Sequence, residues 1–368
     1  MKQKLGKKAR IYLIATGGTI ASVQTVAGLT PQIPAEELLS YVPEVQDFAE
    51  VTCRQLINLD STNIQAKHWV RMAQEVEDHY DEYDGFVICH GTDTMAYTAA
   101  ALSYLIQHSP KPIVLTGSQK PINLDSTDAR SNLRGAIRFA AHPRAHDVCL
   151  VFDGKVICGT RAQKERTKSY DAFASINFPY IATIQEPNVL FYLDDKGRSS
   201  GEPERVNGTS EPVNAGRSQA TLREGAGVYF AHQLEEAVGL FKLLPSMRAE
   251  SLVDLASHYR AIIIESFGVG GLPVYDSGDF RQAVAQLIDQ GKTVVMTTQV
   301  PLEGSNMTVY EVGKQAKETW GLMEAYDMSL PATATKLMWI LGQTEDKKEI
   351  HRLFQTQINH DRLWPAMD

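Results

Sequence analysis

"GFVICHGT", residues 85–92, restricts the fold more than any other stretch of this chain. Gly85 to Cys89 runs without a polar residue. A strand open to water on one face alternates apolar and polar residues, whereas an unbroken run bounded by glycine belongs to a strand covered on both faces. Similar runs recur as "IYLIAT", "KPIVLTGSQ", "AIIIESFG" and "KTVVMTTQV". Helical patterns stand between them. "NIQAKHWVRMAQEVEDHYDEY" puts Trp69, Val70, Ala73, Val76 and Tyr80 on one face, and "TMAYTAAALSYLIQHS", "STDARSNLRGAIRFAAH" and "DFRQAVAQLIDQG" read the same way. This alternation predicts an α/β fold of parallel sheets with right-handed crossovers. "DVCLVFDGKVICGT" is the exception and reads as a hairpin turning at Asp153-Gly154.

With 368 residues the chain exceeds one ordinary core. The texture breaks once, in the Gly-, Ser- and Pro-rich stretch after Asp194. We therefore expect a larger N-terminal parallel-sheet domain over 1–194, a surface excursion over 195–226 and a smaller C-terminal α/β domain over 227–368. The latter would open on the strand "VYFAHQL" and close on a last helix around "ATATKLMWILGQ". A formal charge of −8 argues against a broad nucleic-acid surface. The basic start, Lys2 to Arg10, reads as a solvated arm. "IYLIA" is shorter than the ~7–15 residues of a signal-peptide core, and no run approaches the ~20 apolar residues of a membrane span. A cytoplasmic protein with no membrane or nucleic-acid partner is expected. Cys53, Cys89, Cys149 and Cys158 lack Cys-x-x-Cys spacing and read as reduced thiols.

In an open parallel sheet, ligands bind beyond the carboxyl ends of the strands. Those ends carry Thr16-Gly-Gly-Thr19, Asp60-Ser61-Thr62, His90-Gly91-Thr92-Asp93-Thr94 and Thr116-Gly117-Ser118-Gln119. Any one such turn is explained as a helix cap. Four on one edge call for a further reason. A phosphate site fits poorly, because neither Gly-x-Gly-x-x-Gly nor a Walker loop is present. A metal centre fits worse: His90 has no second ligand at suitable spacing and reads as structural. Acyl transfer fits better. A threonine hydroxyl needs a base or a cation beside it to lose its proton, and Thr92-Asp93 with a lysine from "GTRAQKERTKSYDAF" would provide that. Spacing alone leaves Lys164 and Lys168 open.

"TGGTIAS" followed by "HGTDTMAYTA" resembles the paired signature of the bacterial-type L-asparaginases, and the chain is most similar to the cytoplasmic type I branch of Gram-positive bacteria. "NLDSTNI", "VLTGSQKP", "GTRAQKERTKSYDAF", "ESFGVGGLP" and "KLMWILGQ" extend the resemblance over nearly the whole chain, the 195–226 excursion excepted. It implies hydrolysis of L-asparagine to L-aspartate and ammonia without a cofactor, with minor glutaminase activity. Thr16 matches the nucleophile, on a mobile lid. Thr92, Asp93 and Lys164 match the threonine-aspartate-lysine group, Lys164 keeping the family's seven-residue spacing to Asp171. Asp60, Ser61, Thr62 and Asp93 match the residues that hold the substrate's carboxylate and amine, and Ser118 matches one near the leaving amide. The Gly91-Thr92 turn offers backbone oxyanion donors. A homodimer or homotetramer is implied, with the site near a subunit interface.

Two other functions are alternatives: the asparaginase-like glutamine amidotransferase subunit of the archaeal transamidosome, which shares both threonine motifs, and, from another class, a module that binds amino acids without turnover. The sequence shows no appended N-terminal domain of the kind that would suit the first. It also departs from type I relatives with a second, activating asparagine site. Those relatives carry arginine, cysteine and threonine where this chain has Glu265, Val300 and Gln163. The resemblance therefore implies simple saturation with asparagine.

Overall fold

The computed structural model describes residues 7–26, 28–193, 221–223, 227–275, 278–309, 317 and 320–363. The chain forms two compact units, Met1–Gln233 and Leu234–Asp368. The 195–226 excursion lies outside the described residues except for Thr221–Arg223.

In the first unit the strands are β1 (Ala9–Gly17), β2 (Ser22–Thr25), β3 (Gly28–Pro31), β4 (Ala49–Leu59), β5 (Gly85–Cys89), β6 (Ile106–Gln107), β7 (Ile113–Thr116), β8 (Val148–Phe152), β9 (Lys155–Cys158), β10 (Ala162–Lys164), β11 (Phe173–Ser175), β12 (Ala182–Gln185), β13 (Asn188–Phe191), β14 (Thr221–Arg223) and β15 (Val228–Phe230). Its helices are α1 (Ala35–Ser40), α2 (Ala66–Asp78), α3 (Met95–Leu105) and α4 (Ala129–Ala140). Among the described residues eight strands make the main sheet, in the order β13-β12-β9-β8-β7-β5-β1-β4. β4, β1, β5, β7 and β8 run parallel; β9, β12 and β13 continue antiparallel. The apolar runs become the fully buried β5, β7 and β8. The β8–β9 hairpin turns where expected: Asp153 and Gly154 both have positive φ, as the primed turn of a tight hairpin requires.

Counted among the parallel strands alone, the order is 2-1-3-4-5. The chain leaves β1 to one side for β4, then returns past β1 to β5. The reversal opens a crevice between the carboxyl ends of β1 and β5, the switch point at which such sheets bind ligands.

The second unit has β16 (Val238–Lys242), β17 (Ala261–Ser266), the short pair β18 (Val274–Tyr275) and β19 (Gly278–Asp279), β20 (Thr293–Thr298) and β21 (Met323–Glu324). Its helices are α5 (Ala249–Ala256), α6 (Phe280–Asp289), α7 (Leu330–Gln343) and α8 (Lys347–Gln355). A four-stranded parallel sheet, β16-β17-β20-β21, carries a core of Phe241, Ile262, Ile264, Val294 and Met296 against Leu252, Phe280, Val284 and Leu287 of α5 and α6.

Two sequence readings change. The strand in "VYFAHQL" belongs to the first unit, where Val228–Phe230 pairs antiparallel with β14 and β6. The second unit opens instead on Val238–Lys242, whose edge position leaves Leu240 and Lys242 exposed and breaks the apolar run. "ATATKLMWILGQ" is not the last helix: α8 follows, its side chain-capped start at Asp346 and its buried stripe Ile350, Leu353 and Phe354 being a standard amphipathic pattern. The four cysteines are free thiols, Cys53 half-buried and the others buried. Among the described residues no helix is long and apolar enough to cross a membrane.

Candidate active site

The site is assembled from the strand ends at the switch point. β1 delivers Thr16 beside β5, where Ala15 pairs with Cys89, and the Thr16 hydroxyl donates to the Cys89 carbonyl at 2.8 Å. The glycine pair that follows is forced by close approach. Gly17 and Gly18 have φ of 99° and 79°, and a Cβ on Gly18 would lie 2.3 Å from the backbone nitrogen of Gly91. The two motif turns therefore touch backbone to backbone, and the β2–β3 hairpin follows directly.

β5 ends in His90-Gly91-Thr92-Asp93. Here Lys164 Nζ reaches both neighbours, donating to Thr92 Oγ1 at 2.8 Å and to Asp93 Oδ1 at 2.6 Å. Lys164 arrives at the end of β10, where it is held opposite Phe173 of β11. Lys168 is exposed. Thus the lysine that spacing left open is placed by a two-stranded ribbon.

β4 supplies the third turn. Asp60 caps it by accepting from the Thr62 backbone and hydroxyl, each at 2.9 Å. Ser61 joins it to the β5 turn: its Oγ accepts from the Asp93 backbone at 3.3 Å and its carbonyl from the Thr94 hydroxyl at 2.7 Å. The fourth turn follows β7. Ser118 is buried and its hydroxyl donates to the Lys120 carbonyl within its own turn. Thr92, Asp93 and Lys164 are thus directly bonded, and Ser61 is bonded to Asp93. Thr16 connects to them through the β5 backbone, and Asp60 and Thr62 bond to each other.

His90 has a definite task in this frame. Its ring is wholly buried, with Nδ1 2.7 Å from the Gly91 carbonyl and Nε2 3.0 Å from Thr98 Oγ1. A carbonyl only accepts, so Nδ1 carries the proton and Nε2 accepts from Thr98, which in turn accepts from Trp69 Nε1 at 2.9 Å. Burial pulls the His90 pKa down to about 4, the Gly91 carbonyl opposing that only in part. The neutral ring holds the Gly91 carbonyl. Because the peptide is planar and trans, the Thr92 N–H on the other side of that bond points away from His90.

The sequence offers Gln119 only as part of a turn, and the structure gives it a place of its own. Its Oε1 accepts from Thr92 Oγ1 at 3.3 Å, while Nε2 donates to the Ser169 carbonyl at 3.1 Å and the Arg166 carbonyl at 3.3 Å. Asp128 fixes the Gln119 backbone, accepting from Gln119 N at 2.9 Å and Lys120 N at 3.1 Å, and is itself bonded by Asn132 at 3.1 Å. Burial pushes the Asp128 carboxyl above its usual range despite those donors. Among the described residues no group of three His, Cys, Asp or Glu is placed to hold a metal ion.

Fold and site together define a two-unit α/β protein with a hydroxyl-lysine-carboxylate cluster at the switch point of its larger sheet. The chain belongs to the asparaginase family: residues 10–196 match its N-terminal domain model and residues 237–354 the glutaminase/asparaginase C-terminal domain model. An L-asparaginase of Thermococcus kodakarensis is 37% identical over 95% of this chain and 98% of its own length. A solved structure of the thermostable L-asparaginase from that organism superposes with a TM-score of 0.83 at 36% identity, covering 96% of this chain and 99% of that one. A glutamyl-tRNA(Gln) amidotransferase subunit of Pyrococcus furiosus is 35% identical over 94% of this chain and 75% of its own length. L-asparaginase I from Vibrio cholerae gives a TM-score of 0.78 at 26% identity, covering 97% of this chain and 100% of that one. None of these relatives comes from a Gram-positive bacterium, so the family stands and the narrower branch rests on the motifs alone.

Proposed function

We propose that this chain hydrolyses the side-chain amide of L-asparagine, giving L-aspartate and ammonia through an ester on Thr16. The observation that carries this is the Lys164 ammonium bonded at once to Thr92 and Asp93 beside the end of β1, in a chain 37% identical to an L-asparaginase. Asp60, Ser61, Thr62 and Asp93 would take the substrate's ammonium and carboxylate, with Gly91 and Ser118 beside its amide.

The Thr16 oxygen attacks the amide carbon, and its proton passes to the departing nitrogen, which leaves as ammonia. The oxygen of the tetrahedral adduct meets the Thr92 N–H, a class of contact worth about 3–4 kcal/mol. Water, oriented by Thr92 and Lys164, then attacks the ester, and its proton passes to the Thr16 oxygen as aspartate leaves. The resting Thr16 hydroxyl donates to Cys89, so attack requires it to turn inward, which closure of the β2–β3 hairpin as a lid would accomplish. No step uses a metal or organic cofactor. We assign the protein to the cytoplasm, to the type I branch on its motifs, and to a homodimer or homotetramer with its sites near a subunit interface.

The test is coupled ammonia release with asparagine and with glutamine, wild type beside Thr16→Ala. Asparagine turnover that Thr16→Ala abolishes is the expected result. Glutamine, one methylene longer, is the poorer substrate by ~1–3 kcal/mol. The likeness to the P. furiosus amidotransferase subunit gives the second reading: ammonia released from glutamine only with charged tRNA and a partner protein would replace the first. Binding without ammonia would leave a binding module. An active monomer by light scattering would remove the oligomer.

A further inference from the structure

We propose that Gln119 is a positioning residue for Thr92: its amide fixes the direction of the Thr92 hydroxyl and leaves one oxygen lone pair facing the substrate. The inference rests on the reading above that Thr92 serves amide hydrolysis, and the direction follows from chemistry alone. The Arg166 and Ser169 carbonyls only accept, so the nitrogen of the Gln119 amide must face them and the oxygen must face Thr92. The Lys164 ammonium only donates, and Gln119 Oε1 only accepts. Thr92 Oγ1 therefore accepts from Lys164 at 2.8 Å and donates to Gln119 at 3.3 Å. A hydroxyl oxygen has two lone pairs. One is taken by Lys164, the proton is taken by Gln119, and one lone pair remains to accept a hydrogen bond from the attacking group and so orient it.

The support for Gln119 is itself tied down. The 165–171 segment that presents the two carbonyls is crossed by Arg166, which donates to the Asp171 carbonyl at 2.8 Å, and by an ion pair of Lys155 with the Asp171 carboxylate. Glu165 N and Arg166 N both donate to the Ala172 carbonyl, at 2.9 and 3.3 Å. Behind the backbone of Gln119 stands Asp128, held by Asn132, whose Oδ1 accepts from the Asp153 backbone at 2.9 Å. The amide is thus held at both ends, which a residue filling space at the rim of a pocket does not require.

Gln119→Leu keeps most of the volume and removes both the acceptor and the donor. With asparagine, kcat should fall about tenfold while KM stays within about twofold, since the interaction concerns the reacting hydroxyl and not the substrate's ends. The decisive arm is the same substitution in a Thr92→Val background, assayed at raised enzyme concentration. With no hydroxyl left to aim, Gln119→Leu should cost nothing further. An equal fold loss in both backgrounds, or wild-type kcat in the single variant, would overturn the proposal. A crystal structure of the Gln119→Leu variant reads the aim without activity. Thr92 Oγ1 should leave its place against Lys164, and an unchanged Thr92 rotamer at 2.8 Å overturns the proposal. If the wild type releases no ammonia, hydrolysis fails as the function, and this structural arm still decides whether Gln119 aims Thr92.

Discussion

Two parallel sheets end in two carboxyl edges that differ in how most of their polar side chains are used. At the edge of β16, β17 and β20 the side chains serve their own loops. Gln299 Nε2 donates to the Leu243 and Glu265 carbonyls, the latter at 3.0 Å. Thr298 Oγ1 donates to the Gly268 carbonyl and Ser266 Oγ to that of Gly271. At the edge of β1, β5 and β7 polar side chains meet one another instead, as Lys164, Thr92, Asp93 and Gln119 do. A side chain that stays on a backbone carbonyl serves as scaffold, since that carbonyl would otherwise lack a donor; Thr16 is proposed to leave the Cys89 carbonyl when it attacks. Side chains that bond one another keep capacity for a ligand or a proton. Both edges are rich in threonine and glycine, so composition alone does not separate them.

The comparison is tested hardest where the polar groups meet. Thr16→Ala, Thr92→Val and Lys164→Ala should each lower kcat by about 10³-fold or more, ~4 kcal/mol of barrier. Thermal unfolding should stay near wild type for Thr92→Val. Combining any two should cost little more than one, because they act as a unit. If Lys164→Ala keeps most activity and Lys168→Ala loses it, the bonded cluster is not the machinery.

Thr16 and Ser118 on the first edge also donate to backbone carbonyls, and His90, in the β5 turn, is wholly consumed as scaffold. Its pH dependence exposes this. The folded pKa of about 4 lies below the ordinary value near 6.5, so the unfolded chain takes up this proton first as pH falls. The contribution is complete above about pH 6.5, declines between about 6.5 and 4, and is gone below that, a span of about 3 kcal/mol. Urea unfolding of wild type against His90→Gln at pH 7.5, 5.5 and 4 should show the gap between them narrow as pH falls. A constant gap would mean that the ring is not held neutral.

Much of this architecture is legible in the sequence, and the rest is hidden for physical reasons. β5 and β8 announce themselves because a strand covered on both faces has no polar residues to blur it. β16 hides because an edge strand exposes Leu240 and Lys242 and carries Gly239. α8 carries its cap and its stripe in plain view, and an expectation that closes the chain on "ATATKLMWILGQ" stops one helix short. In the site, the hydroxyl turns stand out because strand ends are predictable. Spacing does not separate Lys164 from Lys168; the bonds of Lys164 to Thr92 and Asp93 depend on its pairing with Phe173 on a ribbon that spacing does not reveal. Gln119 is least visible, because its partners Thr92, Arg166 and Ser169 lie far from it in sequence.

The second edge should fail as scaffold fails. Gln299→Leu leaves the Leu243 and Glu265 carbonyls without their side-chain donor, which costs about 1–3 kcal/mol of stability when such groups stay buried. Denaturant midpoints read this directly. A midpoint unchanged from wild type would show that water replaces the amide and that the second edge is less committed than its bonds indicate.

The smallest expected effect is an absence, and it concerns Glu265. Relatives with an activating asparagine site place an arginine there, able to grip the effector's carboxylate with two charge-assisted hydrogen bonds. Here the side chain is a largely buried carboxylate, with Lys242 Nζ 3.3 Å from Glu265 Oε2. An incoming carboxylate would meet a like charge, and the cation beside it is already engaged by that charge. Coupling between two sites is typically only ~1–3 kcal/mol, so exchanging one attractive contact for a repulsive one is enough to erase it. Rate against asparagine should then follow a hyperbola, with a Hill coefficient close to one in a preparation of fixed oligomeric state. A clearly sigmoidal curve would mean that an effector binds this edge through other contacts. The second edge would then hold a ligand as the first is proposed to, and the division between scaffold and site would no longer follow the two sheets.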